Sequence, residues 1–323
     1  MMASAWRPLA ILLVLILGTA FIAPVVLTEY QLKVAVQMLA IAYIASAWNL
    51  MGGFTGLISL GHMAFVGLGA YASTILQVSH GVSPWIGMLV GALISGLLAL
   101  VIGFVSYRMR LSHAALCLLT LVLAQLAFVL GYTLNITQGM RGISLPLRPG
   151  LEHMQFESGR GYLYLALVMV GLMAALCILV RASKFGHRLI AIRENERVAE
   201  AIGIPAFRYK LIVTTLSGAL TAPGGVLITQ YTLFVDPESA FNVIKSLEIP
   251  IYAMVGGLGS AFGPLVGAVL MSTIIEVLRP LLSGFGAGLD QVVFGIALVV
   301  VVLAAPLGLL GYAPSLMQHL RRA

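Results

Sequence analysis

Apolar runs close to twenty residues long recur along the whole chain and hold almost no charge, which limits the fold more than any motif does. At a rise of about 1.5 Å per residue, such a run crosses the roughly 30 Å hydrocarbon core of a bilayer. Lipid offers no partner to a backbone N–H or C=O, so a spanning segment is a helix or part of a closed barrel. Runs of this length exceed the roughly 9–11 residues a barrel strand needs, so helices are predicted. Ten candidates follow in order: about Leu9 to Leu27, Gln31 to Met51, Leu57 to Val78, Pro84 to Ser106, Ala114 to Tyr132, Tyr162 to Val180, Leu211 to Gln230, Val243 to Val255, Gly263 to Arg279 and Leu289 to Leu307. With 60% of residues hydrophobic and 9% charged, a soluble globular domain is excluded. The expected fold is all-α: a polytopic inner-membrane helical bundle of about ten transmembrane helices, some discontinuous, forming a single transmembrane domain over residues 1–323. Only short connections remain, so an energy-supplying domain has to come from another chain. Arg7 and the small residues near Ala20 also fit a secretory signal peptide, but the apolar stretch is long for one and is read as an uncleaved first span.

Charge is concentrated in one place. Residues 181–210, RASKFGHRLIAIRENERVAEAIGIPAFRYK, carry ten of the 29 charged side chains, seven Lys or Arg against three Glu. Lys and Arg collect in cytoplasmic loops. Alternating ten spans puts Arg7, Arg108 with Arg110, this segment, and Arg321 with Arg322 on one side, which is predicted to be the cytoplasm, with both termini on it. The opposite side receives Glu29, Lys33, the His80 turn, a connection over about 133–161, Asp236, Glu238 and Asp290. A net charge of +7 invites a nucleic-acid reading, but basic residues set between apolar spans are better explained as orientation signals.

No G-x-x-x-x-G-K-[ST] loop occurs, so the chain has no phosphate loop of its own for ATP. The histidines at 62, 80, 113, 153, 187 and 319 lack metal-ligand spacing, and Cys117 and Cys177 lie inside apolar runs, so no catalytic residue, metal site or cofactor is expected. Ion-coupled carriers usually need ionisable groups within their spans. Glu248, Glu276 and Arg279 fall near span ends, where Glu276 and Arg279 fit a local pair better than a proton relay. His62 is the exception, inside an apolar run beside Ser59 and Gly61; it reads either as a histidine satisfied by a backbone carbonyl or as a path-lining residue. Two clusters, Gly52 to Phe65 and Val255 to Gly267, interrupt apolar sequence with Gly pairs and Ser or Thr, as expected of helix breaks lining a cavity.

On a helical wheel Ala191, Ile192, Asn195, Val198, Ala199, Ala201 and Ile202 gather on one side, with Arg193, Glu196, Arg197 and Glu200 opposite. The spacing predicts a short amphipathic helix with Arg193/Glu196 and Arg197/Glu200 as i, i+3 pairs, stopped by Gly203 and Pro205. Such a helix serves as a solvated connector, lies on lipid, or docks into a partner.

RENERVAEAIGIPAFRYK resembles the cytoplasmic signature of the permeases of high-affinity branched-chain amino-acid ABC importers, the LivM type. GGFTGLISLGHMAFVGLGAY (Gly52 to Tyr71) and MVGGLGSAFGPLVGA (Met254 to Ala268) resemble that family's early and late glycine-rich motifs, and the likeness runs from about Gln31 to Gly308. It implies an importer subunit without its own ATPase, working with a second, LivH-like permease, two ATP-binding cassette subunits and a periplasmic solute-binding protein. It further implies that Arg193, Glu194, Asn195, Arg197, Glu200, Ala201 and Gly203 form the coupling helix that meets the ATPase. Asn49, Ser59, Gly61, His62, Gly256, Gly257 and Gly259 are the candidate translocation path. A permease of this architecture carrying urea, an amide or another small polar solute is the alternative, and an ion-coupled secondary carrier a more distant one.

Overall fold

The computed structural model of the chain describes residues 5–282, 295 and 308–311. Within them twelve α-helices run in chain order: α1 (Trp6–Val26), α2 (Glu29–Thr55), α3 (His62–His80), α4 (Pro84–Arg108), α5 (His113–Thr133), α6 (Gly159–Ala182), α7 (Lys184–Glu194), α8 (Glu196–Ala201), α9 (Ala206–Thr232), α10 (Pro237–Ala240), α11 (Val243–Gly256) and α12 (Gly263–Leu282). Six of them, α1, α2, α4, α5, α6 and α9, are long and apolar enough to cross a membrane. The first nine predicted runs each coincide with a helix; the tenth, about 289–307, lies outside the described residues, as do the side chain of Arg279, Asp290, Arg321 and Arg322.

Burial separates the helices by role. α2 is the axis of the bundle, with its stretch from Ala42 to Thr55 buried without interruption and with α6, α7, α9, α11 and α12 packed around it. α4 lies outside, exposing Leu89, Leu93, Leu97, Val101 and Phe104 along one face, the pattern of a helix whose outer stripe meets hydrocarbon. Small residues bring the inner helices together, since lipid gives apolar side chains no drive to leave it. A Cβ added at Gly91 of α4 would stand 2.8 Å from Gly69 Cα of α3, so these helices approach backbone to backbone.

The third helix begins five residues later than its apolar run. Gly56 takes a left-handed conformation (φ 72°) and closes α2, and residues 57–61 form a non-helical turn before α3. Residues 257–262 separate α11 from α12 in the same way. The glycine clusters thus divide helices from one another rather than interrupting a single span. Contacts fix which connections share an end of the bundle. Arg193 and Arg181 join residues 181–210 to Gly53 and Gly259. At the other end Tyr30 of α2 donates to Glu276 of α12. There the connection after α5 sends Ile143–Ser144 to pair antiparallel with Phe234–Val235, and Trp85 Nε1 donates to Leu151 O at 2.8 Å.

Candidate coupling and translocation site

Residues 181–210 form two helices, not the single amphipathic one the wheel predicts. Asn195 leaves helical geometry (φ −160°, ψ 105°), and its side-chain oxygen accepts from Val198 N at 3.1 Å. It therefore ends α7 and caps α8, a task for which a short amide is well suited. The break also separates Arg193 from Glu196. Arg193 Nη1 donates to Gly53 O at 2.6 Å, while Glu196 pairs with Lys210 at 2.7 Å, the one salt bridge among the described residues. Arg193 and Glu196 therefore do not pair, nor do Arg197 and Glu200.

The apolar residues of the wheel divide too. Ile192 and Ala199 are buried against Ala206, whereas Val198 (56% exposed) and Ile202 (70%) face outward, beside exposed Glu194, Asn195, Arg197, Glu200 and Ala201. The predicted stop is present: Gly203 has φ 87°, its N–H bonds Glu200 O at 2.9 Å, and Ile204 N bonds Ala199 O at 3.0 Å. At that φ an L side chain is strained, which is the physical reason for glycine.

Between this segment and the core lies a set of backbone carbonyls and glycine turns. Asn49, fully buried in α2, donates from Nδ2 to Ser260 O at 2.9 Å and accepts at Oδ1 from Gly259 N at 3.0 Å. One amide therefore holds both polar groups of a turn whose Gly257 (φ 121°) and Gly259 (φ 72°) have left-handed φ values. Arg181 Nη1 adds a bond to Gly259 O at 2.9 Å. Gly256 packs against the backbone of Gly263 and leaves no space for a side chain. Arg181 at the end of α6 and Arg193 near the end of α7 thus bond the late glycine turn and the glycine-rich end of α2, and Asn49 ties that turn to α2. A cleft of about 350 Å³ opens beside them, lined by Pro8, Ile178, Arg181, His187, Ser260 and Phe262.

His62, fully buried at the start of α3, is satisfied by two serine hydroxyls and not by a backbone carbonyl. Nδ1 lies 2.9 Å from Ser59 Oγ and Nε2 2.9 Å from Ser217 Oγ. Ser217 gives its own proton to Ala47 O at 2.8 Å, so it accepts from Nε2–H, and Ser59 donates to Nδ1. Donor counting assigns one neutral tautomer that joins α2, α3 and α9. Trp48 Nε1 holds Ser59 O at 2.7 Å, and Leu60 N donates to Thr120 Oγ1 at 3.0 Å. Gly61 lies against the Thr120 carbonyl with no space for a Cβ. Asn49, Ser59, Gly61 and His62 are thus drawn into two adjacent networks around the same stretch of α2, and in this conformation all are packed. Sequence reasoning missed Trp48, Thr120, Ser217 and Arg181. The first three are neutral residues within apolar runs, and Arg181 was grouped with the loop charges.

A bundle of apolar helices with a charged, partly apolar segment wired to its helix breaks defines a polytopic membrane protein of the permease kind. The chain matches the family described as branched-chain amino acid transport system / permease component over residues 30–302, and it belongs to that family. It is 26% identical over 299 residues to the high-affinity branched-chain amino acid transport system permease protein LivM of Salmonella typhimurium, covering 84% of this chain and 69% of that one. To the probable ABC transporter permease protein YphD of Escherichia coli it is 28% identical, over 86% of this chain and 89% of the other. The ribose import permease protein RbsC of Bacillus subtilis is 26% identical over 76% of this chain and 82% of its own length. No solved structure matches the chain. The chain is a permease subunit of an ABC transporter.

Proposed function

We propose that the chain carries branched-chain amino acids across a bacterial inner membrane, receiving them from a periplasmic binding protein and driven by two separate ATP-binding cassette subunits, with a LivH-like permease as its partner. Residues 181–210 lie in the cytoplasm and both termini with them. The absence of a phosphate loop leaves ATP hydrolysis to a partner. The observation that carries the coupling reading is the outward exposure of Val198 and Ile202 at a short capped helix whose neighbour α7 bonds Gly53 through Arg193, with Arg181 just before α7 bonding Gly259. A partner seated on that helix moves it as a rigid body, and Arg193 and Arg181 pass the displacement to α2 and to the turn between α11 and α12. Alternating access then follows from differential stability of two arrangements, with no buried charge required. The path runs beside Asn49, Ser59 and His62, whose packed state here belongs to one of those arrangements.

The similar identity to a ribose permease supports a second reading, the same machine carrying a different small polar solute. The test is uptake by proteoliposomes holding the full complex. ATP-dependent accumulation of labelled isoleucine is expected. ATP-dependent uptake of a sugar or amide instead would move the assignment to the second reading, and uptake that follows an ion gradient without ATP would remove both.

A further inference from the structure

Three buried glutamines meet at the end of the bundle opposite residues 181–210. Gln77 stands one turn before the end of α3, Gln230 lies near the end of α9, and Gln155 belongs to the connection between α5 and α6. Gln230 Nε2 donates to Gln77 Oε1 at 2.6 Å, and Gln155 Nε2 donates to Gln230 Oε1 at 3.4 Å and to Pro146 O at 3.2 Å. Gln155 Oε1 accepts from Arg148 N at 2.6 Å, and Tyr162 OH donates to Gln230 O at 3.0 Å. The primary amides of Gln155 (1% exposed) and Gln230 (0%) are costly to bury without partners; Gln230 finds them in the other two glutamines, and Gln155 in Gln230 and the backbone of its own connection.

The members differ in how they are held. Gln77 and Gln230 are fixed on long helices, whereas Gln155 sits on a small hairpin closed by the Gly150–Gln155 bridge. Polar bonds hold that hairpin to the start of α4, from Trp85 Nε1 to Leu151 O and from Ser83 Oγ to Glu152 O. Connections attached by few polar bonds open at lower free energy than packed helices. Deeper on α3, one turn before Gln77, Thr74 has a buried hydroxyl with no hydrogen-bond partner in the protein. Unsatisfied polar groups inside a bilayer-spanning bundle are a functional signal.

We propose that Gln155 is the removable plug of an outer gate, seated on Gln230, which in turn holds Gln77. Lifting it hands those amides, with the Thr74 hydroxyl one turn behind them on α3, to the incoming solute. Each amide offers both donor and acceptor and no net charge, so the seat suits a small solute that is neutral overall and presents donors and acceptors close together. The proposal rests on the import reading above.

Two measurements test it separately. The first needs no transport: in right-side-out vesicles holding the full complex, Thr74→Cys is labelled with a membrane-impermeant thiol reagent, in a background of Cys117→Ser and Cys177→Ala. Adding Gln155→Ala is expected to raise the labelling rate at least tenfold, and equal rates overturn the plug. The second uses the double variant Gln155→Cys/Gln77→Cys joined by a short bis-methanethiosulfonate linker, with labelled isoleucine as the probe. Isoleucine uptake by the double variant is expected to fall at least tenfold when the link is formed and to return on reduction to the level of the same variant before linking. Normal uptake with the link formed overturns the gate. Complexes that take up no isoleucine even unlinked count against the import reading, and the labelling result still decides whether Gln155 covers the seam.

Discussion

Replacing Asn49 with leucine keeps the branched four-heavy-atom shape of the side chain and removes both of its hydrogen bonds. Ser260 O then loses its donor at 2.9 Å and Gly259 N its acceptor at 3.0 Å. A buried polar group left unpaired costs about 1–3 kcal/mol. The Asn49 side chain is fully buried, but Gly259 and Ser260 are only half-buried, so the lower part of that range applies to each and the sum is about 2–4 kcal/mol. For a chain of this size the loss lowers a thermal midpoint by roughly 4–8 °C. The assay is thermal unfolding of the purified protein in detergent, with Thr133→Val as control, since that hydroxyl is exposed and bonds only within its own helix. Because the turn between α11 and α12 is anchored through Asn49, the leucine variant should also raise the accessibility of a cysteine placed at Ser260. A midpoint within 1 °C of the parent, set against the roughly 4–8 °C expected, would refute the claim that one amide holds the turn between α11 and α12 to α2.

Gly61→Ala places a methyl group against the Thr120 carbonyl, a backbone atom that moves only if α5 moves, so a loss of about 1–3 kcal/mol is expected in the same thermal assay. Gly203→Val meets no neighbouring atom but forces an L residue to φ 87°, at a cost of about 1–2 kcal/mol or more, and Glu200→Lys reverses an exposed charge. Both should insert normally in the membrane yet raise the ATP hydrolysed per solute transported, and parental ratios in both would count against the coupling assignment. Glu196→Ala breaks a pair whose glutamate is 40% exposed, so screening limits the loss to less than about 1 kcal/mol. A larger fall in the thermal midpoint would mean that α8 is held chiefly by this pair.

Helix positions were legible because the length of an apolar run is itself the physical requirement for crossing a bilayer, and nine runs coincide with helices. Where helices ended inside glycine-rich sequence, hydropathy overran: Leu57 to Gly61 are apolar or small enough to read as helix, but Gly56 takes a left-handed φ and turns the chain first. The wheel over residues 191–202 failed for a related reason. It assumes one helix, and Asn195 is a residue type that caps as readily as it continues, so the better signal was its identity and not the amphipathic pattern. The resemblance places Arg193 on the helix that meets the ATPase; no sequence pattern shows that its guanidinium also donates to a carbonyl left free near the end of α2. Among polar groups, His62 stands out as an ionisable side chain within an apolar run, whereas the neutral Gln77, Gln155 and Gln230 do not. Their partners lie far apart in sequence, and no local pattern marks an amide network.

The central claim is that the exposed face of α8 is where ATPase subunits act on this permease. A photo-crosslinking residue placed at Val198 or Ile202 in the assembled transporter tests it directly, with Leu172 of α6, 68% exposed on an apolar helix, as the control. The account predicts a covalent adduct with the ATP-binding subunit from both positions on α8 and none from Leu172. Adducts that are absent from α8, or equally abundant from Leu172, would contradict it.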